Sequence, residues 1–83
     1  MTQANSDGVF LAIDTLNDSA WSLRHSDPAQ ALQAAEQSAA RSQQTNYLKG
    51  TAYSLVTQSF AHFRLARYKP ALELGRQALD SFK

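Results

Sequence analysis

The chain has 83 residues, of which 43% are hydrophobic and 18% charged, and its net charge is +1. This length supports one domain, and the composition is typical of a globular chain rather than a disordered one. The absence of cysteine excludes disulfides, thiolate metal ligands and a cysteine nucleophile. No apolar run approaches the ~18 residues that span a membrane. Because the N-terminus also lacks the basic start of a secretory signal, we expect a cytoplasmic protein.

Apolar residues recur at helical spacing in four segments, which are 9–26, 28–44, 47–66 and a last one from 68 onward. Residues 1–8 precede this pattern and are expected to be a flexible N-terminus. No segment alternates apolar and polar residues as a strand does. The sequence therefore predicts an all-α domain of four helices over residues 9–83.

Start signals mark the second and fourth helices. Asp27 and Gln30 have the Asp-x-x-Gln spacing of a capping box, and Pro28 occupies the first helical position, where its missing N–H has no effect. Pro70 fits the first turn of the fourth helix for the same reason.

The apolar stripes of the last two helices predict their buried sides. The stripe of the third helix includes Leu48 and Phe60, and that of the fourth includes Leu72, Leu79 and Phe82. On this basis we expect Leu72→Asp or Phe60→Asp to unfold the domain.

Charge is distributed unevenly along the chain. Residues 1–40 carry five acids and one base, a net charge of −4, whereas residues 41–83 carry seven bases and two acids, a net charge of +5. The halves can attract each other within one molecule or head-to-tail between molecules. The alternative interpretation is that both are ordinary solvated helix faces.

The second half of the chain repeats the first at an offset of 40 residues, and the breaks between helices recur at that offset. Identical residues align at six positions: Ala12 with Ala52, Ser19 with Ser59, Arg24 with Arg64, Ala31 with Ala71, Leu32 with Leu72, and Gln37 with Gln77. A repeated helix pair is typical of a helical solenoid. We therefore predict two stacked antiparallel helix pairs, with repeat one over residues 9–45 and repeat two over 46–83.

The stretch SFAHFRLARYKPALELGRQAL resembles a tetratricopeptide repeat. In that pattern, a helix with a small residue and an aromatic precedes a second helix that opens on Tyr-x-x-Ala-Leu. Here Ser59 takes the small position, Phe63 supplies the aromatic, and Tyr68, Ala71 and Leu72 match the second helix.

A weaker copy of the pattern covers residues 19–39, so the resemblance extends over most of the chain. It implies a module for protein–protein interaction or dimerisation, similar to those in the N-terminal regulatory part of bacterial signalling proteins such as diguanylate cyclases. Two repeats leave apolar faces uncovered. We therefore expect a fragment of a longer array that self-associates, as a homodimer, with exchange of helices as one route.

The first helices of stacked pairs line a concave surface, which we expect to bind a protein partner or a second copy. In this register the lining residues are Ile13, Leu16, Ala20, Arg24, Tyr53, Val56, Phe60 and Arg64. Arg24 and Arg64 are equivalent and can clamp a carboxylate or an acidic segment; alternatively, both are solvated or pair locally. Trp21 and Tyr53 are candidate contact aromatics that can equally fill the core. The further candidates are Leu79 and Phe82 on the last helix.

Nothing in the sequence indicates catalysis, a metal or a cofactor. His25 and His62 are the only histidines and lack the spacing of a metal site, and neither a phosphate-binding loop nor a nucleophile elbow occurs. The alternative function is a small-ligand- or nucleic-acid-binding module. A basic patch for nucleic acid would consist of Arg64, Arg67, Lys69 and Arg76, but the low overall charge argues against it.

Overall fold

The chain folds into four α-helices, which are α1 (Thr2–Ser22), α2 (Pro28–Gln44), α3 (Leu48–Arg64) and α4 (Tyr68–Ser81). The structure is a computed structural model that describes the backbone of residues 2–82 and the side chains of residues 8–82. No strand occurs within residues 2–82. The prediction of an all-α stack of helix pairs is confirmed.

The bounds of α1 differ from the predicted ones. The helix begins at Thr2, so it includes most of the segment 1–8 that precedes the apolar pattern. It ends at Ser22 rather than at Ser26, because the chain has to leave helical geometry before Asp27 can cap α2.

The start of α2 follows the capping prediction in part. The Asp27 side chain accepts a 3.1 Å hydrogen bond from the backbone N–H of Gln30, and Pro28 opens the helix. The N–H of Asp27 donates to the Leu23 carbonyl at 2.8 Å instead of to the Gln30 side chain. Only one half of the capping box is therefore formed.

The helices α2 and α3 end in the same hydrogen-bonded motif. Asn46 and Ala66 follow the two helices with positive φ values of 55° and 61°. In each case the next N–H donates back to a carbonyl of the last helical turn at 2.8 Å, Tyr47 to Ser42 and Arg67 to His62. This is the Schellman motif, which usually places glycine at the left-handed position.

Small side chains form most of the core between the helices. Each helix packs against its neighbour in the chain, α1 also contacts α3, and within residues 2–82 α4 contacts α3 alone. The buried apolar residues are Ile13, Ala20, Ala31, Leu32, Ala35, Ala52, Ala61, Ala71 and Ala78. Because small side chains let helices approach closely, the stack is thin and measures 45 × 27 × 15 Å.

Gly50 lies where α3 closely approaches the first helix pair. A Cβ atom at this position would collide with Ser42 Oγ and would lie 2.8 Å from Tyr47 Cδ2 and 2.9 Å from Ile13 Cγ2. The Gly50 carbonyl accepts a 3.2 Å hydrogen bond from Asn17 Nδ2. The absence of a side chain is therefore what allows α3 to pack here.

The prediction that Leu48 and Leu72 lie in the core is wrong. Leu48 is 80% exposed and Leu72 is 76% exposed, whereas Phe60 is partly buried. In α4 the small residues Ala71 and Ala78 face α3, and a helix turns by about 100° per residue. Leu72 therefore points away from the neighbouring helix.

Candidate protein-binding surface

A groove runs between α1 and α3, the first helices of the two pairs, and we call it the α1–α3 groove. Its volume is about 500 Å³. It is lined by Asp14, Asn17, Asp18 and Trp21 from α1 and by Lys49, Tyr53, Val56 and Thr57 from α3. Acidic and aromatic side chains thus share one concavity.

Asp14 organises one end of this groove. Its Oδ1 accepts a 2.8 Å hydrogen bond from the Tyr47 hydroxyl, and Lys49 Nζ lies 4.0 Å from its Oδ2. Burial, followed by the hydrogen bond and the negative charge of Asp14, raises the pKa of Tyr47 to about 12. The Phe10 ring stacks on the Tyr47 ring with the centroids 4.1 Å apart. The carboxylate of Asp18, one turn further along α1, has no partner among the described residues.

Asn17 is the buried polar residue of the groove and is only 7% exposed. Its Nδ2 donates to the Gly50 carbonyl, which fixes the orientation of the amide. Within residues 8–82, no donor reaches its Oδ1. Buried acceptors usually have a hydrogen-bond partner, so this oxygen is an exception.

Phe60 lies in a cluster of aromatic and cationic side chains that includes Trp21 of the α1–α3 groove. The rings of Trp21 and His25 pack edge-on against it at centroid distances of 5.6 and 5.2 Å. The guanidinium of Arg24 lies 4.0 Å from the Trp21 ring centroid and donates to the Trp21 carbonyl at 2.8 Å. Arg64 donates to the His25 carbonyl at 3.5 Å. Both arginines are thus oriented by backbone carbonyls.

A second groove, the α3–α4 groove, has a volume of about 380 Å³. Its lining is uncharged and comprises Val56, Ser59, Phe60, Gly75, Ala78, Leu79 and Phe82. The side chains of Leu79 and Phe82 are 62% and 54% exposed, and the Tyr53 ring packs edge-on against Phe82 at 5.7 Å. Ser59 donates to the Ala71 carbonyl at 2.7 Å and holds α4 close to α3.

The α3–α4 groove is the repeat equivalent of a surface that is covered in the first helix pair. At the offset of 40 residues, its positions Phe60 and Phe82 correspond to Ala20 and Ser42. Tyr53, whose ring packs against Phe82, corresponds to Ile13. The three first-pair residues are completely buried. Their larger counterparts remain exposed or half-buried because no further helix covers the second pair within residues 2–82.

The predicted contact residues are distributed over two adjacent grooves, which share Val56. Trp21 and Tyr53 line the α1–α3 groove, and Phe60, Leu79 and Phe82 line the α3–α4 groove. Arg24 and Arg64 line neither groove and contact Trp21 and His25, whose rings pack against Phe60. The role of these contact residues in binding stays a prediction. The prediction that Ile13 and Ala20 line the concave surface is wrong, because both are completely buried.

Asp14, Asn17 and Asp18 line the α1–α3 groove although they were not predicted to do so. The two acids are four residues apart on one helix, and Asp18 lies three residues before Trp21, so their shared face was a signal in the sequence.

Among the described residues, no group of three or more His, Asp or Glu side chains could hold a metal ion. No helix there combines the length and the apolar character that crossing a membrane requires.

No known family model, no curated protein and no solved structure matches this chain. The tetratricopeptide resemblance therefore stays a prediction from the motif residues.

Proposed function

We propose that this chain is a protein-interaction module whose α3–α4 groove binds an α-helix of a second copy, giving a homodimer. The repeat equivalence carries the proposal. In the first pair the corresponding surface is covered by a helix, namely α3. In the second pair no helix within residues 2–82 covers that surface, so Leu79 and Phe82 are exposed. Exposed apolar patches of this kind mark interaction sites.

The apolar side chains of the α3–α4 groove provide the driving force for dimerisation. Fully burying a leucine or phenylalanine side chain contributes about 1.5–3 kcal/mol. Leu79 and Phe82 each have more than half of their surface left to bury. Large apolar residues in a pocket are the residues that dominate interface energies.

Charge supports association between copies. Residues 1–40 have a net charge of −4 and residues 41–83 a net charge of +5. A two-fold, antiparallel arrangement places the acidic half of each copy beside the basic half of the other. Arg24 and Arg64, which have no carboxylate partner among residues 8–82, are the candidate groups for acidic side chains.

The biological setting comes from the resemblance alone. It favours the N-terminal regulatory part of a bacterial signalling protein, such as a diguanylate cyclase. The proposal assigns binding, and no catalysis, to these residues.

Sedimentation velocity over a wide range of protein concentrations tests the proposal. We expect the wild type to self-associate and Leu79→Ser or Phe82→Ser to weaken this by about tenfold, as the loss of a buried apolar contact does. Leu72→Ser is the matched control, because Leu72 lies on the same helix and is exposed, but does not line the groove. A wild type that stays monomeric throughout, or a Leu72→Ser defect equal to that of Leu79→Ser, would contradict the homodimer.

A second candidate function is small-ligand binding. The volume of the α1–α3 groove, about 500 Å³, lies within the range of roughly 300–1,000 Å³ that ligand pockets have. Nucleic-acid binding is distinguished from both by its steep loss of affinity with salt, which apolar self-association does not show.

A further inference from the structure

We propose that the surface around the turn between α3 and α4 binds to an anionic lipid membrane. This surface combines three exposed apolar side chains with three exposed basic ones, and we call it the hairpin-end patch. Its members are Phe63, Tyr68 and Leu72 together with Arg67, Lys69 and Arg76. None of them lines the α1–α3 groove or the α3–α4 groove, so the proposal goes beyond self-association.

The apolar side chains of the patch lie next to one another. The Phe63 ring at the end of α3 packs edge-on against the Tyr68 ring at the start of α4, with the centroids 5.7 Å apart. Leu72 follows Tyr68 by four residues, so it lies one turn further along the same side of α4. Phe63 and Tyr68 are both 58% exposed and Leu72 is 76% exposed. Apolar side chains that cluster on a surface mark an interaction site.

The basic side chains border this apolar cluster. Arg67 and Lys69 flank Tyr68 in the chain, and Arg76 lies one turn beyond Leu72. All three are exposed, and none has an ion-pair partner among the described acidic side chains. Long basic side chains can rest their methylene groups on apolar surface while the charge stays in water. The patch therefore offers apolar area and uncompensated positive charge together.

The equivalent surface of the first helix pair has the opposite charge. At the offset of 40 residues, Arg67 corresponds to Asp27 and Arg76 corresponds to Glu36. Because both pairs fold into a hairpin of two helices, the fold does not require basic residues at these positions. The positive charge of the patch is thus a property of the second pair alone, and it suits a negatively charged partner.

The apolar members of the patch favour a lipid surface over a nucleic acid. Single-stranded nucleic acids stack their bases on aromatic faces. The Phe63 and Tyr68 rings stand at 63° to each other, and the most exposed member of the patch is the aliphatic Leu72. Tyrosine and aliphatic side chains enter the boundary between headgroups and acyl chains, and neighbouring Lys and Arg side chains attract anionic headgroups. Binding of this kind needs no helix that crosses the membrane.

Co-sedimentation of the protein with lipid vesicles tests the proposal. The probes are vesicles of phosphatidylcholine mixed with phosphatidylserine, and vesicles of phosphatidylcholine alone. We expect the wild type to bind the anionic vesicles and to lose most of this binding on the neutral ones. Added salt should weaken binding to the anionic vesicles, because it screens the charge of the headgroups.

Matched variants test the charged and the apolar part of the patch separately. Lys69→Gln should weaken binding to the anionic vesicles about fivefold, which is the contribution of one basic residue near such a surface. Arg41→Gln removes the same charge from an exposed position on α2 and should behave as the wild type. Leu72→Ser should weaken binding about tenfold, because less apolar area enters the membrane. Leu48→Ser is its control, since Leu48 is 80% exposed but lies at the other end of α3.

The proposal is overturned if the wild type binds neither kind of vesicle or both equally, or if Leu72→Ser and Leu48→Ser bind the anionic vesicles equally. It is also overturned if the wild type binds a single-stranded oligonucleotide or polyglutamate but not the vesicles, since the patch would then recognise nucleic acid or acidic protein. Self-association of the same variants is measured separately. Leu72→Ser should retain it, so the failure of vesicle binding is distinguishable from the failure of the homodimer.

Discussion

The Tyr47 hydroxyl donates a 2.8 Å hydrogen bond to Asp14 Oδ1 and thereby joins the start of α3 to α1. Burial is the largest cause that raises the pKa of Tyr47 from 10.0 to about 12, and Asp14 adds to it. The native state therefore holds this proton more tightly than the unfolded chain.

This contribution to stability is fully present below pH 10, the unfolded pKa, and is lost as the pH rises towards 12. In that window the unfolded chain releases the proton while the native state keeps it. We expect the free energy of unfolding to fall less steeply with pH in Tyr47→Phe than in the wild type. Urea unfolding of both proteins at several alkaline pH values measures this. Tyr68→Phe, a change at an exposed ring, is the control and should follow the wild type.

Gly50→Ala should destabilise the domain although alanine is the better helix former by about 1 kcal/mol. The added methyl group would collide with Ser42 Oγ and crowd Ile13. Overpacking of this kind costs about 1–3 kcal/mol. Gly8→Ala is the matched control, because a Cβ there meets nothing within 4 Å, and it should be neutral or stabilising. Equal thermal stabilities of the two variants would contradict the close approach of α3.

Ser38→Ala should stabilise the domain by about 1 kcal/mol, because it removes a buried hydroxyl whose desolvation is uncompensated. Ser38 is completely buried, and its Oγ has no hydrogen-bond partner among the described residues. Ser54 is equally buried but donates to the Thr51 carbonyl at 2.7 Å. Ser54→Ala should therefore gain less than Ser38→Ala in chemical denaturation, and the reverse order would disprove the assignment.

Ala66→Gly should also stabilise the domain. Ala66 has a φ of 61°, and a Cβ in this left-handed conformation costs about 1–2 kcal/mol. The greater freedom of glycine in the unfolded chain offsets about 0.4–1 kcal/mol of this. Asn46→Gly at the equivalent end of α2 should gain less, because asparagine tolerates a positive φ. Calorimetric melting of both variants compares them.

Leu72→Asp should leave the domain folded, contrary to the expectation from its apolar stripe, because the side chain is exposed. We expect a loss of about 1 kcal/mol or less, as for other surface changes in helices. Ile13→Ala should cost about 2–5 kcal/mol, since Ile13 is the largest fully buried side chain among residues 8–82. Circular dichroism during thermal unfolding distinguishes the two. An unfolded Leu72→Asp protein would mean that α4 packs through a different face.

The local signals in the sequence predicted the helices better than their faces. Asp27 and Pro28 define the start of α2 through chemistry that acts within one turn. The face of α4 that meets α3 depends instead on a tertiary contact. A stripe that contains both Leu72 and Ala71 is consistent with either residue pointing inward, and the close approach of Gly75 to Ser59 decides for the small residues.

The candidate site was likewise predicted only where the signal lies in the sequence itself and not where it depends on tertiary contacts. The equivalence of Arg24 and Arg64 is visible in the repeat, and both lie near the Phe60 cluster, Arg24 at 5.9 Å from the Phe60 ring and Arg64 on the His25 carbonyl. The acidic end was not predicted, because it depends on how α1 is rotated against α3. The close packing of Gly50 against Ile13 of α1 is part of that arrangement, and the sequence shows Gly50 only as an unfavourable helix residue.

Within residues 2–82, α4 contacts α3 alone, and this has a consequence for the dynamics of the domain. Because α4 has no contact with α1 or α2 in this part of the chain, it can detach without breaking the packing of the other three helices. Its amide hydrogens should therefore exchange with deuterium through local opening, at a free energy well below that of global unfolding. The amides of α3, which contacts each of the other helices, should exchange only when the whole domain unfolds.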